Sequence, residues 1–377
     1  SCITPFPKVF LPTIIALLFS LKAAANISDA LAVFSHPKNI TELCRDRGMM
    51  TGIVTTDLTS GATPAAFSAH SSSRSNTEDI TNDQLASDID LIWGAADGVA
   101  TKSAAEKNGY EYITTYSEMM ALEEGSKSFA QFVQPLWTME QSDSKTPNLE
   151  QMAVKAVDLL DDTDEGFFLM IEGAHIDKHS HNNDSEKMTE SVMEFDRTIK
   201  AMLEYAKADG ETLVVVTADH ETGGLTLGID NIYNLQLKNL AYQKTSPDRL
   251  SRAISDFRKN NRRATWEDVK EFLGEHMGFW EEIKINWEQE KALRDVYEQS
   301  FVRNRMPMAE SMYSRTEPLA AAAVKVLNET ALIGWSSGGH TASYVPVFAI
   351  GAKADLFQGR MDNTDIPKRI MKAAKYK

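Results

Sequence analysis

Two cysteines, Cys2 and Cys44, in 377 residues are too few for a disulfide scaffold or a cysteine-built zinc finger. They leave the redox compartment open. Positive charge is also scarce. The formal net charge is −15, and a surface of that sign repels nucleic acid and anionic lipid. Nucleic acid is therefore not expected as a specific partner, and an anionic substrate would need a local cationic site. No apolar run is long enough for a membrane span. The stretch Val9–Leu21 falls short of the about 20 residues that a spanning helix requires. Internal repeats are absent. What remains is ordinary globular composition, 42% hydrophobic and 25% charged, which excludes wholesale disorder and a collagen-like fibre. The length suits two or three domains, or one large α/β domain.

The N-terminus carries a second reading of that apolar run. Lys8 precedes it, and Lys22 with Ala23-Ala24-Ala25 follows. A positive flank, an apolar stretch and a small-residue exit read as a secretory signal over residues 1–25, cleaved after Ala25. The expectation is a periplasmic or secreted protein. The competing reading is a buried helix or strand of the domain.

Beyond residue 26 the pattern alternates. Gly52–Thr56, Phe167–Ile171, Leu213–Thr217 and Val345–Ile350 are short apolar runs of the kind that form central strands covered on both faces. Helical patterns lie between them over Leu149–Leu160 and Ser185–Ala208, the latter stopped by Asp209-Gly210. This order predicts an α/β fold with a mostly parallel central sheet and helices on both faces. Its site is expected at the carboxyl ends of the strands. From about 230 to 332 strand signals vanish and charged helical stretches follow, such as Arg262–Phe279 and Trp287–Arg305. This reads as a helical insertion between two sheet strands, its charge runs being solvated faces.

Acidic residues and histidines gather where these strands end. In Glu172-Gly-Ala-His-Ile-Asp177-Lys-His-Ser-His181, Asp177 and His181 would share one face of a helix, a spacing that suits a divalent metal. Thr217-Ala-Asp219-His220-Glu-Thr-Gly-Gly224 follows the most apolar run of the chain, and Ser336-Ser-Gly-Gly-His340 precedes another. Each alone is common, as a surface helix pair, an Asp-His hydrogen bond or a loop histidine. Together, all at strand edges, they mark a site. Thr63, in Ala62-Thr63-Pro64, could offer a hydroxyl to a hard ion, and Arg74 could clamp a phosphate. The bland alternatives are an N-cap threonine and a surface arginine.

Taken in order, the segments Gly61–His70 with Arg74, Met170–His181, Thr217–Gly224 and Gly338–Thr341 resemble the alkaline phosphatase family, from about Pro37 to the C-terminus. The resemblance implies a phosphomonoesterase with two Zn²⁺ and one Mg²⁺, acting on small phosphomonoesters, in a protein that is commonly a homodimer. It implies Asp177, His181 and His340 at the first zinc, and Asp219 and His220 at the second. Thr63 and Glu172 would serve magnesium, and Arg74 would hold two phosphate oxygens.

Two family elements have no counterpart upstream of Thr63. One is the serine nucleophile, and the other is an aspartate that follows the first strand and bridges the second zinc to magnesium. Asn39–Gly48 resembles the helix just before the strand that leads to Thr63, so the first strand and the nucleophile helix are expected to be missing. Gly61 also stands where family members often carry an acidic residue or histidine. The alternatives to an active enzyme are a catalytically silent zinc- or phosphate-binding relative and a truncated fragment. A neighbouring metal-dependent branch would need another nucleophile near the first strand, and none is found.

Overall fold

In a computed structural model, residues 38–132, 146–161, 163–229, 232, 234–310 and 315–374 are described, together with the backbone of 14–20. The remainder of the expected 1–25 signal segment lies outside these residues. The chain divides into two compact units.

The larger unit comprises Thr13–His175, Ser191–Asp219 and Val345–Lys377. Its sheet contains β1 (Ile14–Ser20), β2 (Met50–Leu58), β3 (Leu91–Ala95), β4 (Glu111–Ile113), β5 (Ser128–Phe132), β6 (Phe167–Gly173), β7 (Thr212–Ala218) and a last strand, β14 (Val347–Gly351). The order is β14-β7-β1-β6-β2-β3-β5-β4. The stretch β6-β2-β3-β5-β4 is parallel throughout. Every residue of β6 and β7 is buried, which is why their sequences run apolar without alternation. One face of the sheet packs Ile53, Ile92, Phe129, Phe168, Met170, Leu213 and Val215 in a core with Ile40 and Cys44 of the helix Ile40–Arg45 and Ile370 of the helix Asp365–Ala374. On the other face Gly52 admits the helix Leu149–Leu160. A Cβ at Gly52 would lie 2.8 Å from Leu160 Cδ1 and 2.9 Å from Leu169 Cδ1. Helices therefore cover both faces, as expected.

The sheet corrects one expectation. The first strand is not a gap: β1 occupies the place between β6 and β7, antiparallel to both. Its start, Ile14, pairs with Gly173 and Ala218 at the strand ends, so the residue at that edge is an isoleucine and not a carboxylate. Cleavage after Ala25 would remove β1 and leave the facing edges of β6 and β7 unpaired.

Among the described residues, the second unit comprises Ile176–Glu190 and His220–Tyr344. Helices Pro247–Asn260, Trp266–Met277, Trp287–Tyr297 and Pro318–Ala331 fill it. Their apolar stripes meet in a core that includes Leu250, Ile254, Leu273, Phe279, Leu293, Ala323 and Leu327. The helix expected from Arg262 begins instead at Trp266, because Thr265 and Asp268 form a capping box there. The stretch expected to continue to Arg305 leaves α-geometry after Tyr297 for a π turn over Glu298–Val302. Strands flank the expected insertion of 230–332, and one pair, over 309–316, falls within it. β8 (Glu221–Thr222) pairs with β13 (His340–Thr341), β9 (Leu225–Leu227) with β12 (Ile333–Trp335), and β10 (Ala309–Glu310) with β11 (Arg315–Thr316).

Candidate metal centre

Four of the expected metal residues meet within the second unit. Asp177 and His181 lie on the helix His175–His181, one turn apart, with the His181 Nε2 3.4 Å from Asp177 Oδ1. His220 directly precedes β8, and His340 opens β13, where it pairs with Thr222. This short ladder carries His340 to the helix. Its Nε2 is 3.9 Å from Asp177 Oδ1 and 3.2 Å from His181 Nε2. The ring of His220 stacks on that of His340, centroids 3.5 Å apart at 21°. Asp177, His220 and His340 bring one ligand atom each within 4.8 Å of one another. His220, expected at a different ion from Asp177 and His340, thus stands in one group with them.

The chemistry of the donor set fits a borderline divalent cation such as zinc, which takes imidazole and carboxylate. His181 Nδ1 lies 2.7 Å from the Gly338 carbonyl, which only accepts, so a proton sits on Nδ1, and in the neutral imidazole Nε2 carries the lone pair. That lone pair faces His340 Nε2 and Asp177 Oδ1. A hydrogen bond from His340 Nε2 or a bound cation makes such a convergence favourable.

Two glycines make the loop between β8 and β9 possible. Gly223 (φ +89°) and Gly224 (φ +59°) lie in the region that side chains disfavour. The Gly223 N–H donates to the Gly339 carbonyl at 2.9 Å, and its own carbonyl accepts from Ser336 and Ser337. Glu221 accepts from Gly224 N at 3.0 Å and from the Thr341 hydroxyl.

The helical insertion braces the turn that follows His181. Asn328 Nδ2 donates to the Asn183 carbonyl at 2.6 Å, Trp335 Nε1 to Ser185 Oγ at 3.0 Å, and Gln243 Nε2 to Asp184 Oδ1 at 3.1 Å. Burial pushes the Asp184 carboxyl up to about 6, against hydrogen bonds from Lys187 N and Gln243 that favour the charged form. A carboxyl raised in the fold stabilises it fully below the ordinary carboxylate pKa and loses that contribution as pH rises through the raised value. Asp184→Asn should therefore gain stability relative to the native chain between pH 4 and 7, on the order of 2 kcal/mol. Urea unfolding at several pH values reads this difference, and a pH-independent difference would contradict it.

The remaining expected residues belong to the larger unit. Glu172, at the end of β6, is buried and accepts from Thr55 Oγ1 at 2.5 Å. Asp219 follows β7 and is exposed. Thr63 stands half-buried in the first turn of the helix Ala62–Ser68, whose cap is Gly61, so it is not an N-cap threonine. Arg74 is exposed in the loop before the helix Thr77–Ala86.

Sequence reasoning missed two groups. A Cβ on Gly61 would lie 2.5 Å from Asp57 Oδ2, so an acidic group does occupy the space beside Gly61, delivered by β2. Thr222 is buried, with its hydroxyl 2.6 Å from Asp177 Oδ1 and 3.2 Å from His220 Nδ1. The signal for Thr222 was its place two residues after His220, on the same side of an extended segment.

The family model described as alkaline phosphatase matches residues 14–92 and 95–376. The chain is 31% identical over 352 residues to alkaline phosphatase 4 of Bacillus subtilis, covering 90% of this chain and 70% of that protein. It is 27% identical over 383 residues to the alkaline phosphatase of Schizosaccharomyces pombe, covering 91% and 67%. Among solved structures, a cold-active alkaline phosphatase from a psychrophilic Shewanella superposes with a TM-score of 0.74 at 30% identity, over 89% of this chain and 78% of that one.

Proposed function

Because the chain belongs to the alkaline phosphatase family, which comprises phosphoric monoester hydrolases, we propose that it hydrolyses small phosphomonoesters at a centre for two Zn²⁺ and one Mg²⁺. The convergence of Asp177, His220 and His340, with His181 beside them, carries this reading. These four side chains would hold zinc, with Asp219 contributing next to His220. Glu172 and Thr63 would serve magnesium. When bound, the cations supply Lewis acidity toward the phosphoryl oxygens. Arg74, on its exposed loop, would present two parallel N–H groups to the equatorial oxygens, where the transferred phosphoryl carries its charge. That guanidinium would be the local cationic site that a chain of net charge −15 needs to take an anionic substrate. The reading includes export to the periplasm or medium and a homodimer, both supported by the resemblance, whereas the apolar run behind Lys8 forms β1 of the sheet. Among the described residues no helix is long and apolar enough to cross a membrane.

One observation favours a second reading, a silent relative that binds metal or phosphate without turnover. Ile14 stands at the strand edge between Gly173 and Ala218, where the resemblance asks for a bridging carboxylate. Hydrolysis of p-nitrophenyl phosphate at alkaline pH by the purified chain separates the two. With added Zn²⁺ and Mg²⁺, turnover is expected that a chelator abolishes and that Asp177→Ala lacks. A folded, zinc-loaded chain without turnover would support the silent relative instead.

A further inference from the structure

We propose that Thr222 is a positioning residue that holds His220 in its metal-ligating tautomer and anchors Asp177, one hydroxyl thereby setting two ligands at once. The inference rests on the metal-centre reading above.

A threonine hydroxyl has one hydrogen to give and two lone pairs to receive. The Thr222 oxygen is 2.6 Å from Asp177 Oδ1 and 3.2 Å from His220 Nδ1. An ionised carboxylate oxygen can only accept, so the hydroxyl hydrogen must lie toward Asp177. The reverse choice would press two oxygen lone pairs together at 2.6 Å. With its hydrogen committed, Thr222 can only accept from His220. The imidazole proton therefore sits on Nδ1, and Nε2 is left with the lone pair that a cation requires. The chain of donors runs His220 Nδ1–H to Thr222 Oγ1, then Thr222 O–H to Asp177 Oδ1.

Burial and backbone make the arrangement rigid. Thr222 is 1% exposed, so water is a poor substitute for either partner. The β8–β13 pairing sets Thr222 opposite His340, and the Gly223–Gly224 turn follows at once. His181 reaches the same state by another route, through the Gly338 carbonyl at 2.7 Å. Two of the imidazoles thus have Nε2 reserved by an acceptor on Nδ1, and for His220 that acceptor is itself tied to the carboxylate ligand.

The test uses the full chain with Thr222→Val, which keeps the branched shape and removes the hydroxyl, and Thr222→Ser, which restores it. Thermal melts establish that each variant folds. Histidine ¹⁵N NMR of the metal-free chain is expected to show His220 as the Nδ1–H tautomer in the native chain and in Thr222→Ser. In Thr222→Val the Nε2–H form should become populated. Zinc affinity, measured by competition with a chelator, should fall about 10–100-fold in Thr222→Val and recover in Thr222→Ser. The visible spectrum of bound Co²⁺ should shift in Thr222→Val alone. An Nε2–H tautomer in the native chain would overturn the inference, as would native zinc affinity with a native tautomer in Thr222→Val. A native chain with the expected tautomer that takes up no zinc would overturn the metal-centre reading and leave the tautomer assignment standing.

Discussion

Asp177→Ala is expected to weaken zinc binding by more than the roughly 10–100-fold typical of lost supporting contacts, because it removes a ligand atom and the charge at the centre together. Asp177 Oδ1 is where Thr222 Oγ1, His181 Nε2 and His340 Nε2 come together, at 2.6, 3.4 and 3.9 Å. Without it a cation held by His181 and His340 would face imidazoles only. The buried Thr222 hydroxyl also loses its acceptor, at a cost of about 1–3 kcal/mol. Asp177→Asn should fall between, since its amide oxygen still accepts from Thr222 but carries no charge. Chelator competition on the purified variants measures the affinity. Binding by Asp177→Ala within tenfold of the native chain would show that the aspartate is not a ligand.

Gly223→Ala should be strongly damaging near the site. The φ of +89° costs an alanine about 1–2 kcal/mol. The new Cβ would also lie 2.5 Å from Trp335 Cε3 and 3.1 Å from the Ser180 carbonyl. The indole cannot simply retreat, since its Nε1 donates to Ser185 Oγ at 3.0 Å. Overpacking of this kind adds about 1–3 kcal/mol. Relief requires moving the loop whose Ser336, Ser337 and Gly339 are hydrogen-bonded to Gly223, and that loop leads into His340. A combined loss of about 2–5 kcal/mol and a drop in zinc affinity are expected. Gly210→Ala is the control. Its φ is +79°, with no atom within 4 Å of the new Cβ, so only the backbone cost of about 1–2 kcal/mol and unchanged zinc binding are expected. Equal losses in the two variants, by urea unfolding, would mean that the Trp335 contact is unimportant.

The contrast between strands found and strands missed has a physical cause. Phe167–Ile171 and Leu213–Thr217 announced themselves because both faces are buried, so that no polar residue interrupts them. β3 and β5 are equally buried but short, and β5 is Ser-Phe-Ala-Gln-Phe. Its polar residues are satisfied inside the fold. Ser128 accepts from Trp93 Nε1, while Gln131 Nε2 donates to Thr59. Such partners are distant in sequence and leave no local trace. The helix Leu149–Leu160 was legible to the residue because Asn148 and Gln151 form its capping box. At the site, the histidines and carboxylates stood out by type, as the family motifs did. Which of them cluster depends on β8 pairing with β13, a contact between two-residue strands that no periodicity reveals. Asp57 and Thr222 escaped for the same reason: their importance lies in what they touch.

The place of β14 matters before the protein is complete. It covers the outer edge of β7, yet roughly 130 residues lie between the two strands in the sequence. At ribosomal rates of about 5–20 residues per second that interval is on the order of ten seconds. Throughout it the nascent β7, wholly apolar at its centre, has no partner on that side, and an unpaired edge of this composition invites another chain. The nascent helical segment must emerge and begin to compact while that edge waits. Yield in a cell should therefore depend more on the speed of translation across 220–344 and on chaperone supply than on the stability of the finished sheet.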